Sequence, residues 1–224
     1  ATAYNDWTLE TLVDTVDDCY AACVVAPDRP EEAAEEIDDR AGEDGIVGVL
    51  VPSGGVTPPL GREKYFPIYE AAEDNDLPLM FHGAGTSGIS TFPTHWQGTK
   101  RYIDIHVTAH PADHMFHLST MLTNGVPERF PDLDIVFQEA GVGWIPYFMR
   151  RYDNEYSEKR QDAPLLEKKP SEYIREQFYF SSQPFEGADD PQYISNIVRM
   201  FDGGERLMFS TDYPHVDFDN SDQI

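Results

Sequence analysis

Basic residues are scarce in this chain, and their scarcity sets the first limits on function. Lys and Arg number 16 against 41 Asp and Glu, so the 224 residues carry a formal net charge of −25. Such a charge repels the phosphates of nucleic acid and anionic membrane surfaces. We therefore expect neither of these as a partner, and a small molecule as the substrate.

Cysteines and long apolar runs are equally few. The two cysteines, Cys19 and Cys23, are too few for a disulfide framework or a zinc ribbon, and we expect them to be reduced packing residues. No apolar run approaches the length of a transmembrane helix, and no signal peptide opens the sequence. These features predict a cytoplasmic protein.

The acidic residues are spread along the chain in a composition typical of a folded protein. Aromatic residues make up 12% of the sequence, which is too many for a disordered acidic chain. A folded protein with so many carboxylates and so few lysines indicates a cytoplasm of high salt, where ions screen the self-repulsion. An ordinary acidic protein is the alternative.

Three short apolar runs end in a residue that can bind a metal or move a proton. They cover residues 77–83, 133–141 and 207–215. Runs of this kind are typical of strands buried on both faces, and in α/β folds the chemistry collects beyond the carboxyl ends of such strands. His82, Glu139 and Asp212 all stand at that place.

The whole chain, residues 1–224, is predicted to be one α/β domain. Further strands are predicted at residues 20–25, 46–51 and 178–181, which makes six, with helices between most of them. This alternation indicates parallel strands with right-handed crossovers, as in an open doubly wound sheet or a β/α barrel. Residues 83–88 have the glycine spacing of a dinucleotide fingerprint, but no clear helix follows, so we favour the barrel.

Three local predictions concern helices and loops. Asp28 and Glu31 have the spacing of a capping box and predict a helix start. A second helix is predicted from His110 to Asn124. The aperiodic stretch between Gly83 and His106 is predicted to be a substrate loop or lid.

Asp212 is the strongest candidate for chemistry. An aspartate after a strand is more often a turn residue or a helix cap, but the company of His82 and Glu139 reverses that preference. His82 is followed by glycines that would let a ligand approach. Glu139 is a weaker candidate, because its position at a helix start also suits a negative charge.

Other histidines and an arginine are secondary candidates. His110, His114 and His117 fall on one side of the predicted helix, and two histidines at i and i+4 can share a metal, although packing is the preferred interpretation. Arg150 could contact a substrate carboxylate, or form a solvated salt bridge.

The segments Tyr4–Trp7, Phe81–His82, 139–146 and 210–215 resemble the amidohydrolase-related family of metal-dependent TIM-barrel enzymes, a branch with both hydrolases and decarboxylases. The resemblance implies a (β/α)8 barrel with one divalent ion at its mouth. It makes His82 the fifth-strand ligand and Asp212 the eighth-strand ligand. Glu139 takes the sixth-strand position, where many relatives have histidine. We expect zinc first, with manganese or magnesium favoured by the extra oxygen donor.

The sequence departs from that family in one further respect. No His-x-His or Glu-x-His pair of the kind that supplies first-strand ligands is present, and only six strands can be counted. The resemblance therefore implies a barrel that is incomplete at its N-terminus, with two strands upstream of Ala1 and a final helix beyond Ile224. We expect such a barrel to form a homo-oligomer.

These observations predict a metal-dependent hydrolase of a small carbonyl or carboxylate compound. Asp212 would move the proton of the attacking water, His82 would bind the metal or polarise the substrate, and His215 and Arg150 would contact the substrate. Two alternatives stay open: a non-oxidative decarboxylase of an aromatic or unsaturated carboxylic acid, and an inactive barrel used for binding or oligomerisation.

Overall fold

The computed structural model describes residues 1–83, 100–187 and 189–219. Within these residues, six parallel strands form one sheet, and their order in the sheet follows their order in the sequence. This confirms the predicted α/β class and corresponds to part of a (β/α)8 barrel. The strands are β1 (Ala21–Val24), β2 (Ile46–Pro52), β3 (Leu79–His82), β4 (Ile135–Gln138), β5 (Phe178–Ser181) and β6 (Leu207–Met208).

Helices connect the strands and cover the outside of the sheet. A π-helical turn at Leu9–Val13 continues the first helix, and short 3-10 turns precede or follow several others. The helices are α1 (Thr2–Thr8), α2 (Pro30–Arg40), α3 (Phe66–Asp74), α4 (Tyr102–Thr123), α5 (Val126–Arg129), α6 (Trp144–Glu158), α7 (Pro170–Gln177) and α8 (Pro191–Phe201).

Aromatic residues form a layer in the sheet just below its carboxyl edge. Phe81 pairs in register with Phe137, and Phe137 with Phe180. The ring centroids of the two pairs are 5.7 and 6.2 Å apart, and all three side chains are almost completely buried. The residues at the carboxyl ends of β3 and β4 therefore lie above a tightly packed layer of aromatic side chains.

Two helix starts differ from the predictions. Helix α2 begins at Pro30, and its N-cap Arg29 makes no side-chain cap bond, so the capping box at Asp28 was wrong. Proline fixes φ for the first helical turn and sets the boundary instead.

Helix α4 begins at Tyr102 and contains Pro111 in its interior. The prediction began this helix at His110, which is eight residues late. The predicted substrate loop therefore ends earlier than expected, and its residues 84–99 lie outside the described part of the chain. Among the described helices, none combines the length and the apolar character needed to cross a lipid bilayer.

Candidate metal centre

His82, Glu139 and Asp212 meet at the carboxyl edge of the sheet. His82 is the last residue of β3, Glu139 directly follows β4, and Asp212 lies shortly after β6. Each residue offers one ligand atom, and the three atoms lie within 4.8 Å of one another. The structure thus brings together the three residues that the sequence singled out, because parallel strands end at a shared edge.

The ring orientation of His82 directs one nitrogen at Glu139. His82 Nδ1 lies 3.0 Å from the carbonyl oxygen of Gly83, which can only accept, so Nδ1 carries a proton. In the neutral ring, Nε2 then presents a lone pair toward Glu139 Oε2, 2.7 Å away. The Nε2 and Oε2 lone pairs repel each other at this distance unless a positive charge lies between or beside them. A second proton on the ring or a metal ion would supply that charge. Contact with the Glu139 carboxylate accordingly raises the pKa of His82, against the lowering effect of burial.

Glu139 supplies a buried negative charge. Glu139 is only 9% exposed. Its Oε2 atom has no aligned hydrogen-bond partner among the described residues, despite the nearby His82 nitrogen. Burial alone would raise the pKa of Glu139, but contact with His82 and the charge of His110 outweigh it and lower the pKa. A buried, ionised oxygen without an aligned donor fits a cation site.

The backbone is strained at both carboxylate positions. Glu139 has φ of 57° and Asp212 has φ of 59°, in the left-handed region that residues with side chains rarely adopt. The Glu139 N–H donates to Ser181 Oγ at 2.9 Å, which ties this turn to β5. Strain of this kind concentrates at functional sites, so it supports a role for both residues.

His215 contacts Asp212 from the solvent side. Its Nδ1 lies 2.7 Å from Asp212 Oδ2, and its side chain is 60% exposed against 15% for Asp212. The hydrogen bond to Asp212 raises the pKa of His215. His215 is therefore adjacent to the cluster, where the sequence predicted a substrate contact.

Arg150 does not join the cluster. It is exposed on the outer side of α6 and lines a groove of about 460 Å³ with Lys169 and Arg175. At 1.5 Å per residue, it lies roughly 9 Å along the helix from Trp144. Its contact with substrate stays a prediction.

The histidines of α4 have separate surroundings and do not form a shared metal pair. His117 holds the loop after β2, accepting from Leu60 N–H at 3.2 Å on Nδ1 and lying 3.0 Å from the Ser53 carbonyl oxygen through Nε2. His114 is fully buried, with its ring 4.9 Å from that of Phe137. His110 instead approaches Glu139, which the packing interpretation missed.

The donor set comprises one imidazole and two carboxylates. Carboxylate oxygens suit hard divalent ions, and imidazole suits transition metals. The cluster therefore fits a divalent ion, with chemistry compatible with manganese.

Comparison with known proteins identifies the family. The sequence profile of the amidohydrolase family matches residues 1–224. The chain is 26% identical over 203 residues to gamma-resorcylate decarboxylase of Polaromonas sp. strain JS666, covering 86% of this chain and 59% of that protein. It is 24% identical over 230 residues to the enzyme of the same name from Rhizobium sp. strain MTP-10005, covering 97% of this chain and 66% of that protein. The chain thus spans about three fifths to two thirds of the length of these relatives.

Solved structures share the fold. The 5-carboxyvanillate decarboxylase of Sphingomonas paucimobilis superposes with a TM-score of 0.75 at 24% identity, over 94% of this chain and 61% of that protein. A dihydroxybenzoic acid decarboxylase of Polaromonas sp. JS666, solved with manganese and the inhibitor 2-nitroresorcinol, gives a TM-score of 0.76 at 24% identity, over 99% and 66% of the two chains.

Proposed function

Because this chain belongs to the amidohydrolase family, we propose that it acts as a metal-dependent decarboxylase of a small aromatic or unsaturated carboxylic acid. The observation that carries the proposal is the convergence of His82, Glu139 and Asp212 at the sheet edge, in a fold shared with decarboxylases. The named relatives favour this alternative over the hydrolase that the sequence placed first.

His82, Glu139 and Asp212 would together hold one divalent ion. Manganese in the Polaromonas structure and the two carboxylates here support manganese in preference to zinc. When bound, such an ion polarises the oxygens of a substrate. Glu139 is anionic and His82 has its Nδ1 proton fixed by the Gly83 carbonyl, so both residues are oriented before a ligand arrives.

Asp212 is proposed as the group that moves the proton. Decarboxylation breaks the bond between the carboxylate carbon and its neighbour, leaves the electron pair on that neighbour and requires one proton there. Asp212 would relay that proton to the carbon as carbon dioxide leaves. His215, with Nδ1 at 2.7 Å and an exposed ring, would return a proton from solvent to Asp212.

The test measures carbon dioxide release from a panel of hydroxybenzoates and unsaturated carboxylic acids in the presence of Mn²⁺. We expect release with at least one of them, and we expect Asp212→Asn to reduce turnover by about 10²- to 10⁴-fold because the proton donor is lost. Asp202→Asn is a matched control, since Asp202 also has φ of 59° but lies at the end of α8.

Three results would contradict the proposal. They are full activity of a folded Asp212→Asn variant, no carbon dioxide from any acid of the panel, and hydrolysis of carbonyl compounds without decarboxylation. Far-UV circular dichroism of each variant separates loss of chemistry from loss of fold.

A further inference from the structure

His110 extends from α4 to the edge of the candidate metal centre. Its Nδ1 lies 3.6 Å from Glu139 Oε2, and its ring centroid is 6.3 Å from that of His82, with the planes at 72°. The side chain is only 10% exposed. An imidazole nitrogen is therefore buried beside the same carboxylate oxygen that His82 contacts.

Neither atom of this contact has a satisfied hydrogen bond. His110 Nδ1 and Glu139 Oε2 are both buried and lack an aligned partner among the described residues. Their separation is longer than a hydrogen bond, and each atom can donate a lone pair to a cation. Buried polar atoms are nearly always satisfied, so two such atoms side by side favour a third group that both contact.

The surrounding backbone fixes where the His110 ring lies. A Cβ atom on Gly83 would be 3.4 Å from His110 Nδ1 and 3.5 Å from its Cγ, so the ring packs against the residue that follows His82. Farther along α4, a Cβ on Gly61 would be 2.2 Å from the Thr120 backbone, which shows how closely the loop after β2 holds the helix. The position of His110 beside the centre is thus set by a contact at its own ring and by a close backbone contact near the C-terminal end of α4.

We propose that His110 Nδ1 is a fourth protein ligand of the divalent ion, beside His82, Glu139 and Asp212. This rests on the metal centre of the proposed function. The donor set then has two imidazole nitrogens and two carboxylates. Imidazole suits first-row transition metals, whereas magnesium prefers oxygen donors, so His110 would make the site selective for manganese over magnesium.

The experiment titrates the full chain with Mn²⁺ and follows free Mn²⁺ by electron paramagnetic resonance. We expect His110→Ala to weaken Mn²⁺ binding by about 10-fold or more, with less discrimination against Mg²⁺ in competition. Pulsed resonance of the bound ion should show nitrogen couplings from two imidazoles in the unsubstituted chain and from one in His110→Ala. His110→Gln keeps the side-chain volume and should lose the same coupling.

His106→Ala is the matched control. His106 lies one turn earlier on α4 and pairs with Asp217 at 3.2 Å, so both imidazole couplings should remain. Unchanged affinity and couplings in folded His110→Ala and His110→Gln would overturn the role of His110 and leave the three-residue centre standing. If the unsubstituted chain fails to bind Mn²⁺, both the inference and the proposed centre are wrong.

Discussion

Glu139 and Asp212 adopt a backbone conformation that their side chains disfavour. Both have positive φ, at 57° and 59°. Non-glycine residues in such conformations cost about 1–3 kcal/mol each, and they persist only where the surroundings enforce them. Here the hydrogen bond from Glu139 N–H to Ser181 Oγ contributes to that enforcement. Glycine at either position would relieve the strain but remove the carboxylate.

This strain leads to a stability prediction at Glu139. We expect Glu139→Gly to be more stable than Glu139→Ala by about 1 kcal/mol, because only glycine adopts positive φ without steric cost. Urea unfolding of the two variants, both lacking the carboxylate, measures the difference directly.

Gln138 provides the control for that comparison. It lies in β4, where glycine should be less stable than alanine. Equal stability of the two Glu139 variants, or a more stable alanine variant, would show that the left-handed backbone is not strained.

The sequence predicted that three residues of the candidate centre lie together, and it did so from one rule of sheet geometry. His82, Glu139 and Asp212 follow different parallel strands, and the ends of such strands lie together whatever the side-chain packing. The places of Arg150 and His110 depend instead on how a helix is rotated about its axis. No local pattern specified that rotation.

At the scale of elements, α4 runs from the core to the carboxyl edge of the sheet. His117 binds the loop after β2, His114 packs on Phe137, His110 faces Glu139, and His106 pairs with Asp217. The four histidines of α4 thus occupy four different environments. The chemistry of each histidine is set by burial and by the partner it meets.

His114 should make the fold sensitive to acid. Burial, with the nearby histidines, holds its pKa well below the usual value, and neither ring nitrogen has a hydrogen-bond partner among the described residues. The unfolded chain takes up a proton near pH 6.5, whereas the folded chain resists it. Stability from this group is therefore present above about pH 6.5 and falls as the pH drops, by up to about 1.4 kcal/mol per pH unit.

The variant His114→Leu tests this effect. We expect its free energy of unfolding to depend less on pH between 8 and 5 than that of the unsubstituted chain. Measurement at pH 8 gives the packing change alone, since His114 is neutral there in both states. An identical pH dependence in the two proteins would assign the acid sensitivity to other groups.

Element types were more predictable than element boundaries. Strands β2 to β5 are short, mostly apolar runs, and such runs indicate strands with little ambiguity. The predicted helix starts were wrong in two segments that contain proline. Pro30 overrode the capping box of Asp28, and Pro111 lies within α4 although it resembles a first-turn residue.

At the scale of the whole molecule, negative charge greatly exceeds positive charge. The chain has 41 acidic and 16 basic residues, and a single basic group can contact several acids. Arg40, for example, contacts Asp6, Glu36 and Glu43. Adaptation to high salt remains a prediction that follows from this imbalance.

The imbalance predicts stabilisation by salt. Raising KCl from 0.1 to 2 M should raise the melting temperature, because screening weakens repulsion among carboxylates. A gain of 1 kcal/mol corresponds to about 2–4 °C for a chain of this size.

Sucrose at equal osmolality is the control, since it is excluded from protein surfaces but screens no charge. A melting temperature that is highest in dilute buffer, or that rises equally with sucrose, would contradict an electrostatic cause.

Exposed apolar side chains lie on or beside the first two strands and the last strand of the sheet. Tyr20 precedes β1 and Val47 lies in β2, and Met208 and Phe209 lie at β6; all four are exposed in the described structure. Homo-oligomer formation and a cytoplasmic location stay predictions.

Each donor at the sheet edge follows its own strand, while the phenylalanine layer beneath belongs to the core. Mutation can therefore alter the two separately, because a change at one strand end would alter the proposed metal preference without disturbing the packing that keeps the fold intact. Successive substitutions of single side chains could therefore change which metal is bound, and with it the reaction that the metal supports.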